Sequence, residues 1–175
     1  MRFDITVENS EILPEIKLYK PSSASDERGQ IWTIWEKENI LPEGLEFNLC
    51  KFTRSKKEVL RGLHGCYDTW KYMSVPMGEV FFSVVDIRKH SPNFLKYQTY
   101  VLNDKNHYGV LVPPGFANGH LCLSEKCLYH YMMSYEGKYI EPSEQVVIKW
   151  NDDRLQIPWP TKNPILSSRD KMSNI

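Results

Sequence analysis

Short apolar segments alternate with polar breaks along almost the whole chain, and long helical stretches are missing from the pattern. The longest apolar segment, Val80–Ile87, is nearly unbroken, which is typical of a strand buried on both faces. The pattern predicts strands at Phe3–Val7, Ile16–Tyr19, Gln30–Trp35, Leu45–Ser55, Lys71–Val75, Glu79–Ile87, Lys96–Leu102, Tyr108–Val112, His120–Leu123, Lys126–Ser134 and Gln145–Lys149.

Turn-forming residues separate these segments at short and regular intervals, which favours a β-sandwich or jelly roll. Pro21–Gly29 is polar and predicts a loop, whereas Glu36–Leu41 predicts a helical turn that Pro42–Gly44 closes. A second short helix is expected after Ser167, in a proline-punctuated tail that folds back over the body. The sequence therefore predicts an all-β jelly-roll sandwich with short peripheral helices.

Length and charge restrict the possible partners. The 175 residues are best interpreted as one domain, 1–175, with 22 basic and 22 acidic side chains. Because the net charge is zero, there is no global field to attract nucleic acid or an acidic membrane surface. Any anion-binding site must be local.

The cysteines and the N-terminus indicate a cytoplasmic protein. The four cysteines include no CxxC pair, so we expect reduced thiols rather than zinc ligands or a disulfide framework. The first residues lack the apolar run of a signal peptide, and no segment approaches the length of a membrane span.

Candidate chemistry is concentrated in Val59–Arg88, where Arg61 and Lys71 flank His64. Arginine suits a bidentate grip on phosphate, histidine moves protons near neutral pH, and lysine supplies a compact positive charge. These three residue types also occur on ordinary surface strands, so this stretch alone leaves a structural interpretation open.

Six motifs in a fixed order extend the argument from Ile16 to Asp170. The chain resembles the dTDP-4-dehydrorhamnose 3,5-epimerase family of cupin jelly rolls and, more narrowly, GDP-linked 4-keto-heptose epimerases of bacterial capsule synthesis. The resemblance implies a homodimer in which the N-terminal strands cross over. The motifs are DERG (26–29), RGLH (61–64), GEV with VVDIRKHSP (78–92), VPPGFANGH (112–120), WNDDRLQIPWP (150–160) and PILSSRD (164–170).

The resemblance also implies catalytic roles. His64 matches the base, Asp170 the carboxylate that bonds it, and Lys71 the lysine near the ring ketone. Tyr131 matches the tyrosine on the opposite face of the sugar, although Tyr129 lies on the same face of the strand and stays an alternative.

Further residues are expected to bind the substrate. Arg61 and Arg28 match arginines that contact the diphosphate or the nucleotide. Glu27 accompanies Arg28 in the DERG motif. The others are expected to line the substrate site: Lys51, Asn118 and His120.

These residue types fit epimerisation through an enolate. A carbon beside a ketone loses its proton to a base and regains one from an acid on the other face. Positive charge at the ketone oxygen stabilises the intermediate, and neither a redox cofactor nor a metal is required. A metal-dependent cupin is disfavoured because Gly65, Cys66 and Asn118 occupy positions where histidine ligands would be expected.

Departures from the family pattern bear on the nucleotide. Leu49 and Lys51 stand where the family carries Gln and Asn, and Asn118 stands where it carries His. These changes favour a GDP-linked 4-keto heptose as substrate over a dTDP-linked sugar. The alternatives are a dTDP-4-keto-6-deoxyglucose 3,5-epimerase, a 3,4-ketoisomerase and a non-catalytic sugar-nucleotide-binding cupin. Inversion at C3 alone or at both C3 and C5 also stays open.

Overall fold

Thirteen strands and one short helix make up the regular structure of a computed structural model that describes residues 3–36, 42 and 44–175. The strands are β1 (Ile5–Asn9), β2 (Lys17–Pro21), β3 (Ser23–Asp26), β4 (Gly29–Trp32), β5 (Leu49–Lys56), β6 (Leu60–Cys66), β7 (Trp70–Met77), β8 (Glu79–Asp86), β9 (Tyr97–Asn103), β10 (Gly109–Val112), β11 (Phe116–Cys122), β12 (Lys126–Ser134) and β13 (Val146–Val147). A 3₁₀ helix follows at Arg169–Lys171.

The strands form two main antiparallel sheets. A six-stranded sheet has the order β1-β2-β10-β7-β12-β5, and a five-stranded sheet has the order β13-β6-β11-β8-β9. Strands β3 and β4 pair separately as a hairpin. The predicted all-β jelly-roll architecture is confirmed.

The main core joins the two sheets. Met73 and Val110 from the six-stranded sheet share one buried cluster with Phe82, Val84 and Phe116 from the five-stranded sheet. Because side chains alternate along a strand, the even positions of β8 enter this core while Phe81 and Val85 point to the other face. Both faces of β8 are therefore covered, which explains its nearly unbroken apolar sequence.

The C-terminal segment covers the outer face of the five-stranded sheet. Leu155, Ile157 and Trp159 pack in one cluster with Leu63 and Val85 of the sheet. This confirms that the tail folds back over the body. It also carries the residues after Ser167 to the start of β6.

The strand predictions were right in kind and inexact in their bounds. Two strands were missed: β6, whose two glycines weaken the apolar pattern, and β3, which lies in the predicted loop. Strand β11 begins at Phe116 rather than at His120, because Gly119 continues the strand instead of ending it. The predicted helical turn at Glu36–Leu41 falls largely outside the described residues.

Among the described residues, no helix has the length and apolar character required to cross a membrane.

The glycine of the RGLH motif permits close contact between β6 and β11. Gly62 has φ +115°, and a Cβ there would lie 2.6 Å from Gly119 Cα and 2.7 Å from the Asn118 carbonyl oxygen. Both contacts are backbone atoms, which cannot move aside as the end of a side chain can. Any larger residue would push apart the two strands that carry His64 and Asn118.

We expect Gly62→Ala to lower the free energy of unfolding by about 3 kcal/mol, because it adds overpacking to a strained backbone conformation. Gly137→Ala is the matched control, since Gly137 also has positive φ (+69°) but no heavy atom would lie within 4 Å of its Cβ. Chemical denaturation of both variants checks the prediction. Equal losses of stability would show that packing against β11 is unimportant.

Candidate functional site

A cleft opens at one end of the space between the two sheets, where polar side chains replace the apolar core. It encloses about 550 Å³ including its open mouth. Strands β5, β6, β7, β11 and β12 each contribute side chains, and two residues follow β12. The lining residues are Thr53, Arg61, His64, Lys71, Met73, Asn118, His120, Tyr129, Tyr131, Met133, Tyr139 and Gln145.

Asp170, near the end of the chain, bonds directly to His64. Its Oδ1 lies 2.7 Å from His64 Nε2 and also accepts the Gly62 amide at 3.2 Å, while Oδ2 accepts the Ser167 hydroxyl at 2.6 Å. Because an ionised carboxylate only accepts hydrogen bonds, His64 Nε2 must carry a proton. The other ring nitrogen, Nδ1, is then the one with a free lone pair when the imidazole is neutral.

The electrostatics of this pair favour a neutral His64 beside an ionised Asp170. Burial lowers the pKa of His64, and the hydrogen bond to Asp170 partly opposes that shift. Burial raises the pKa of Asp170, but the bonds from His64, Ser167 and the Gly62 amide outweigh it, so the net pKa is lowered. At neutral pH the histidine is therefore unprotonated at one nitrogen and its partner is charged.

Lys71 lies beside the histidine on the neighbouring sheet. Its Nζ donates to the His64 carbonyl oxygen and to Asn118 Oδ1, both at 3.1 Å. Burial lowers the pKa of this ammonium group, with Cys66 acting in the opposite direction. Asn118 therefore helps to hold the Lys71 side chain in place at the cleft.

Two tyrosines of β12 enter the cleft from the six-stranded sheet, which also carries Lys71. Tyr129 is buried and stacks on His120 at 3.8 Å between ring centroids. Tyr131 is half-buried, with its ring centroid 6.1 Å from that of Tyr129. Burial raises the pKa of Tyr131 and the nearby Lys51 lowers it, leaving a net increase, so its phenol keeps its proton at neutral pH. Of the two, Tyr131 is the more accessible to a bound ring.

His120 is a buried neutral imidazole at the cleft floor. Burial, together with the charge of Arg61, lowers its pKa to about 3, and its Nε2 has no hydrogen-bond partner among the described residues. A residue that is neutral at all physiological pH values does not serve as a proton carrier, consistent with the substrate-lining role predicted for it.

His120 should make the fold sensitive to acid. Between pH 6.5 and 3 the unfolded chain binds a proton at this residue that the folded chain excludes, so the free energy of unfolding falls as pH falls. Compared with wild type, we expect His120→Gln to recover about 3 kcal/mol of the stability lost between pH 7 and pH 4. Urea unfolding at the two pH values measures this difference. If wild type and His120→Gln lost the same free energy of unfolding between pH 7 and pH 4, His120 would not be the source of the acid sensitivity.

Two further cations lie at the cleft. Arg61 is exposed and its Nε donates to Ser55 Oγ at 3.1 Å. Lys51 Nζ lies 4.5 Å from the centre of the Tyr139 ring and 3.4 Å from its hydroxyl. This arrangement leaves positive charge available to an anion such as a diphosphate.

The structure does not bring Arg28 and Glu27 to this cleft. Both lie at the tip of the β3–β4 hairpin, where Asp26 accepts hydrogen bonds from the Arg28 guanidinium. The Arg28 side chain is 86% exposed. Within one chain these residues do not contact the other predicted site residues.

Several cleft residues were not predicted. Thr53 and Met133 lie on the same strand faces as Lys51 and Tyr131, so alternation along β5 and β12 would have identified them. Tyr139 and Gln145 carry no such signal, because they belong to irregular segments whose path depends on tertiary packing.

The residues present do not fit a metal centre. In the described part of the chain, His, Cys, Asp and Glu side chains form no group of three or more that could bind a metal ion. The ammonium group of Lys71 lies 3.1 Å from Asn118, one of the positions where a cupin ligand was considered. A metal-independent reaction remains a prediction.

Comparison with known proteins agrees with this geometry. The family model described as dTDP-4-dehydrorhamnose 3,5-epimerase matches residues 10–175. The enzyme of that name from Salmonella typhimurium is 34% identical over 165 residues, which cover 90% of this chain and 88% of that protein. The Escherichia coli K12 enzyme is 34% identical over 166 residues, covering 91% and 88% respectively.

Solved structures give the same result. A Legionella pneumophila dTDP-6-deoxy-D-glucose-3,5-epimerase in complex with dTDP-4-keto-L-rhamnose superimposes with a TM-score of 0.87, at 32% identity, over 95% of this chain and 90% of that one. A Bacillus anthracis dTDP-4-dehydrorhamnose 3,5-epimerase with TDP and pyrophosphate bound gives a TM-score of 0.88, at 28% identity, over 98% and 99%.

Proposed function

Because the chain belongs to the dTDP-4-dehydrorhamnose 3,5-epimerase family, we propose that it inverts C3 and C5 of a dTDP-linked 4-keto-6-deoxy sugar. It is an isomerase that acts on sugars. The observation that carries the proposal is the 2.7 Å bond between His64 and Asp170, which joins residues far apart in sequence at the cleft. A non-catalytic sugar-binding cupin would have no need of such a pair.

His64 acts as the base. Its Nδ1 takes the proton from the carbon beside the ketone, and the resulting imidazolium is stabilised by Asp170 through the Nε2 hydrogen bond. Since burial lowers the pKa of His64, the base stays unprotonated to pH values below its ordinary range. The carboxylate also fixes which ring nitrogen faces the substrate.

Lys71 stabilises the enolate. An ammonium group beside the ketone oxygen acts on charge that develops in the transition state, and one such group typically contributes about 3 to 4 kcal/mol. The buried position of Lys71 makes its charge more effective than it would be in water. Its bonds to the His64 carbonyl and Asn118 hold it in place before substrate binds.

Tyr131 returns a proton from the face opposite His64, and this step inverts the centre. We expect Tyr131→Phe to lower kcat for inversion by about 100-fold or more, while proton removal by His64 continues. In heavy water the variant should therefore label the recovered substrate faster than it forms product. NMR of the sugar protons measures both rates.

Tyr129→Phe is the matched control, since Tyr129 lines the same cleft but is buried against His120. It should change kcat much less than Tyr131→Phe. If Tyr129→Phe lost inversion and Tyr131→Phe kept it, the acid would be Tyr129.

Arg61 and Lys51 hold the diphosphate. Both bring positive charge to the cleft, and an arginine fork suits phosphate oxygens. Because the net charge of the chain is zero, this local charge is the feature that selects an anionic substrate.

A GDP-linked 4-keto heptose is the second candidate substrate. It is favoured by Leu49 and Lys51, which replace amide side chains suited to a pyrimidine edge. The names of the relatives give this candidate no support, since they refer to dTDP-sugars. Competition binding of dTDP against GDP, followed by incubation with the 4-keto sugar of each, distinguishes the two. Tighter binding and turnover of the GDP-linked sugar would overturn our first choice.

Deuterium incorporation from heavy water measures how many carbon centres of the sugar are inverted. Incubation in heavy water should place deuterium at both C3 and C5. One labelled position would indicate a single epimerisation, and a ketone moved from C4 to C3 would indicate a ketoisomerase.

We also propose that the protein is a homodimer and that the β3–β4 hairpin works between subunits. The exposed position of Arg28 suits a contact with another chain better than a role in its own cleft. Light scattering on the purified protein tests the assembly. The cytoplasmic location inferred from sequence remains a prediction.

A further inference from the structure

A second group of chemically active side chains lies on the outer face of the six-stranded sheet, opposite the cleft. Cys50 Sγ is 3.3 Å from His130 Nε2, and His130 Nδ1 is 3.0 Å from Ser74 Oγ. Side chains alternate along strands, so Cys50 and His130 point away from the side that Lys51 and Tyr131 occupy. The epimerase chemistry uses none of the three.

The three residues form an ordered series across neighbouring strands. His130 in β12 lies opposite Ser74 in β7, and Phe52 of β5 packs against the imidazole at 4.8 Å between centroids. His130 is buried, whereas Cys50 is exposed. The other three cysteines are buried, so Cys50 is the thiol that a reagent in solution reaches first.

The protonation state of His130 suits a base for the thiol. Burial lowers the pKa of His130, which keeps the ring neutral at physiological pH. When Nδ1 carries the proton and donates it to Ser74 Oγ, the lone pair of Nε2 faces the thiol. A thiol beside a correctly oriented imidazole loses its proton as it attacks.

An apolar cavity adjoins the thiol. It encloses about 890 Å³ including its open side, and Cys50 is one of its lining residues, with Trp35, Phe47 and Met132 among the others. Trp35 Nε1 is buried without a hydrogen-bond partner among the described residues. The cavity thus offers largely apolar walls for a small molecule beside the thiol.

We propose that Cys50 is a modification site that forms mixed disulfides with low-molecular-weight disulfides, with His130 as the base. The thiol proton moves to His130 Nε2 while Sγ attacks one sulfur of the disulfide. The old S–S bond breaks, the Cys50–S–S–R bond forms, and His130 passes its proton to the departing thiolate or, when that thiolate is a weak base, to water. The reagent disulfide is reduced and Cys50 is oxidised, so no further reactant is needed.

The probe for the test is 5,5′-dithiobis(2-nitrobenzoate), an aromatic disulfide whose released thiolate is coloured. At pH 7 we expect one fast-reacting thiol per chain, about 10-fold faster than free cysteine, and mass spectrometry of peptides should locate the adduct on Cys50. Cys50→Ser should abolish the fast phase and leave the thermal unfolding midpoint unchanged, which shows that the variant is folded.

His130→Gln should bring the Cys50 rate down to that of free cysteine, and His90→Gln, a change at an exposed histidine, should leave it unaltered. Ser74→Ala is the milder variant should His130→Gln not fold, and we expect about a threefold loss. An adduct on another cysteine, a wild-type rate no faster than free cysteine, or a rate that neither variant lowers would overturn the proposal. The proposal does not depend on the epimerase activity.

Discussion

Replacing His64 with asparagine is expected to lower kcat by about 10³-fold or more. Asparagine can still hydrogen-bond Asp170 but has no lone pair able to accept the sugar proton at neutral pH. Substrate affinity should change little, because Arg61 and Lys51 remain. Steady-state kinetics with dTDP-4-keto-6-deoxyglucose as substrate measure kcat and KM separately.

His90→Asn is the control for the His64 variant, since His90 is exposed and does not line the cleft. It should retain wild-type kcat. Thermal unfolding of the two variants would show whether His64→Asn loses activity only because it is less stable. Wild-type turnover by a folded His64→Asn protein would show that His64 is not the base.

Asp170→Asn is expected to lower kcat by about 10² to 10⁴-fold, a range that follows from the role of a carboxylate that fixes a tautomer and stabilises an imidazolium. The amide oxygen can still accept the Gly62 amide, so the local fold should persist. However, the amide carries no charge to offset the proton that His64 gains. The loss should therefore appear in kcat rather than in KM.

The pH profile gives the Asp170 variant a second readout. Asp170 raises the pKa of His64 against the effect of burial, so its removal should move the acid limb of kcat/KM to lower pH. Asp152→Asn is the matched control, because Asp152 pairs with Arg154 outside the cleft. An Asp170→Asn protein with the activity and pH profile of wild type would mean that the carboxylate has no part in the reaction.

The pattern of short apolar segments separated by polar breaks was sufficient to predict the class of fold and most strands. It succeeded at β8 because both faces of that strand are buried, and at β12 because the strand is long. It missed β6, since the glycines that allow close contact with β11 also remove the apolar signal. A strand selected for backbone proximity does not resemble a strand selected for core packing.

The site was predicted mainly through motifs rather than through periodicity. Asp170 lies 106 residues after His64, and nothing in its local sequence indicates that the two touch. Their contact depends on the tail packing of Trp159 and its neighbours against the five-stranded sheet. Tyr139 and Gln145 were not predicted for the same reason, because irregular segments are placed by tertiary contacts.

Proton exchange in heavy water, followed by NMR at C3 and C5 of the sugar, tests the central claim most directly. Wild-type protein should replace both protons with deuterium, and a folded His64→Asn protein should replace neither. Exchange at the wild-type rate by the variant would contradict the assignment of His64 as the base that Asp170 orients.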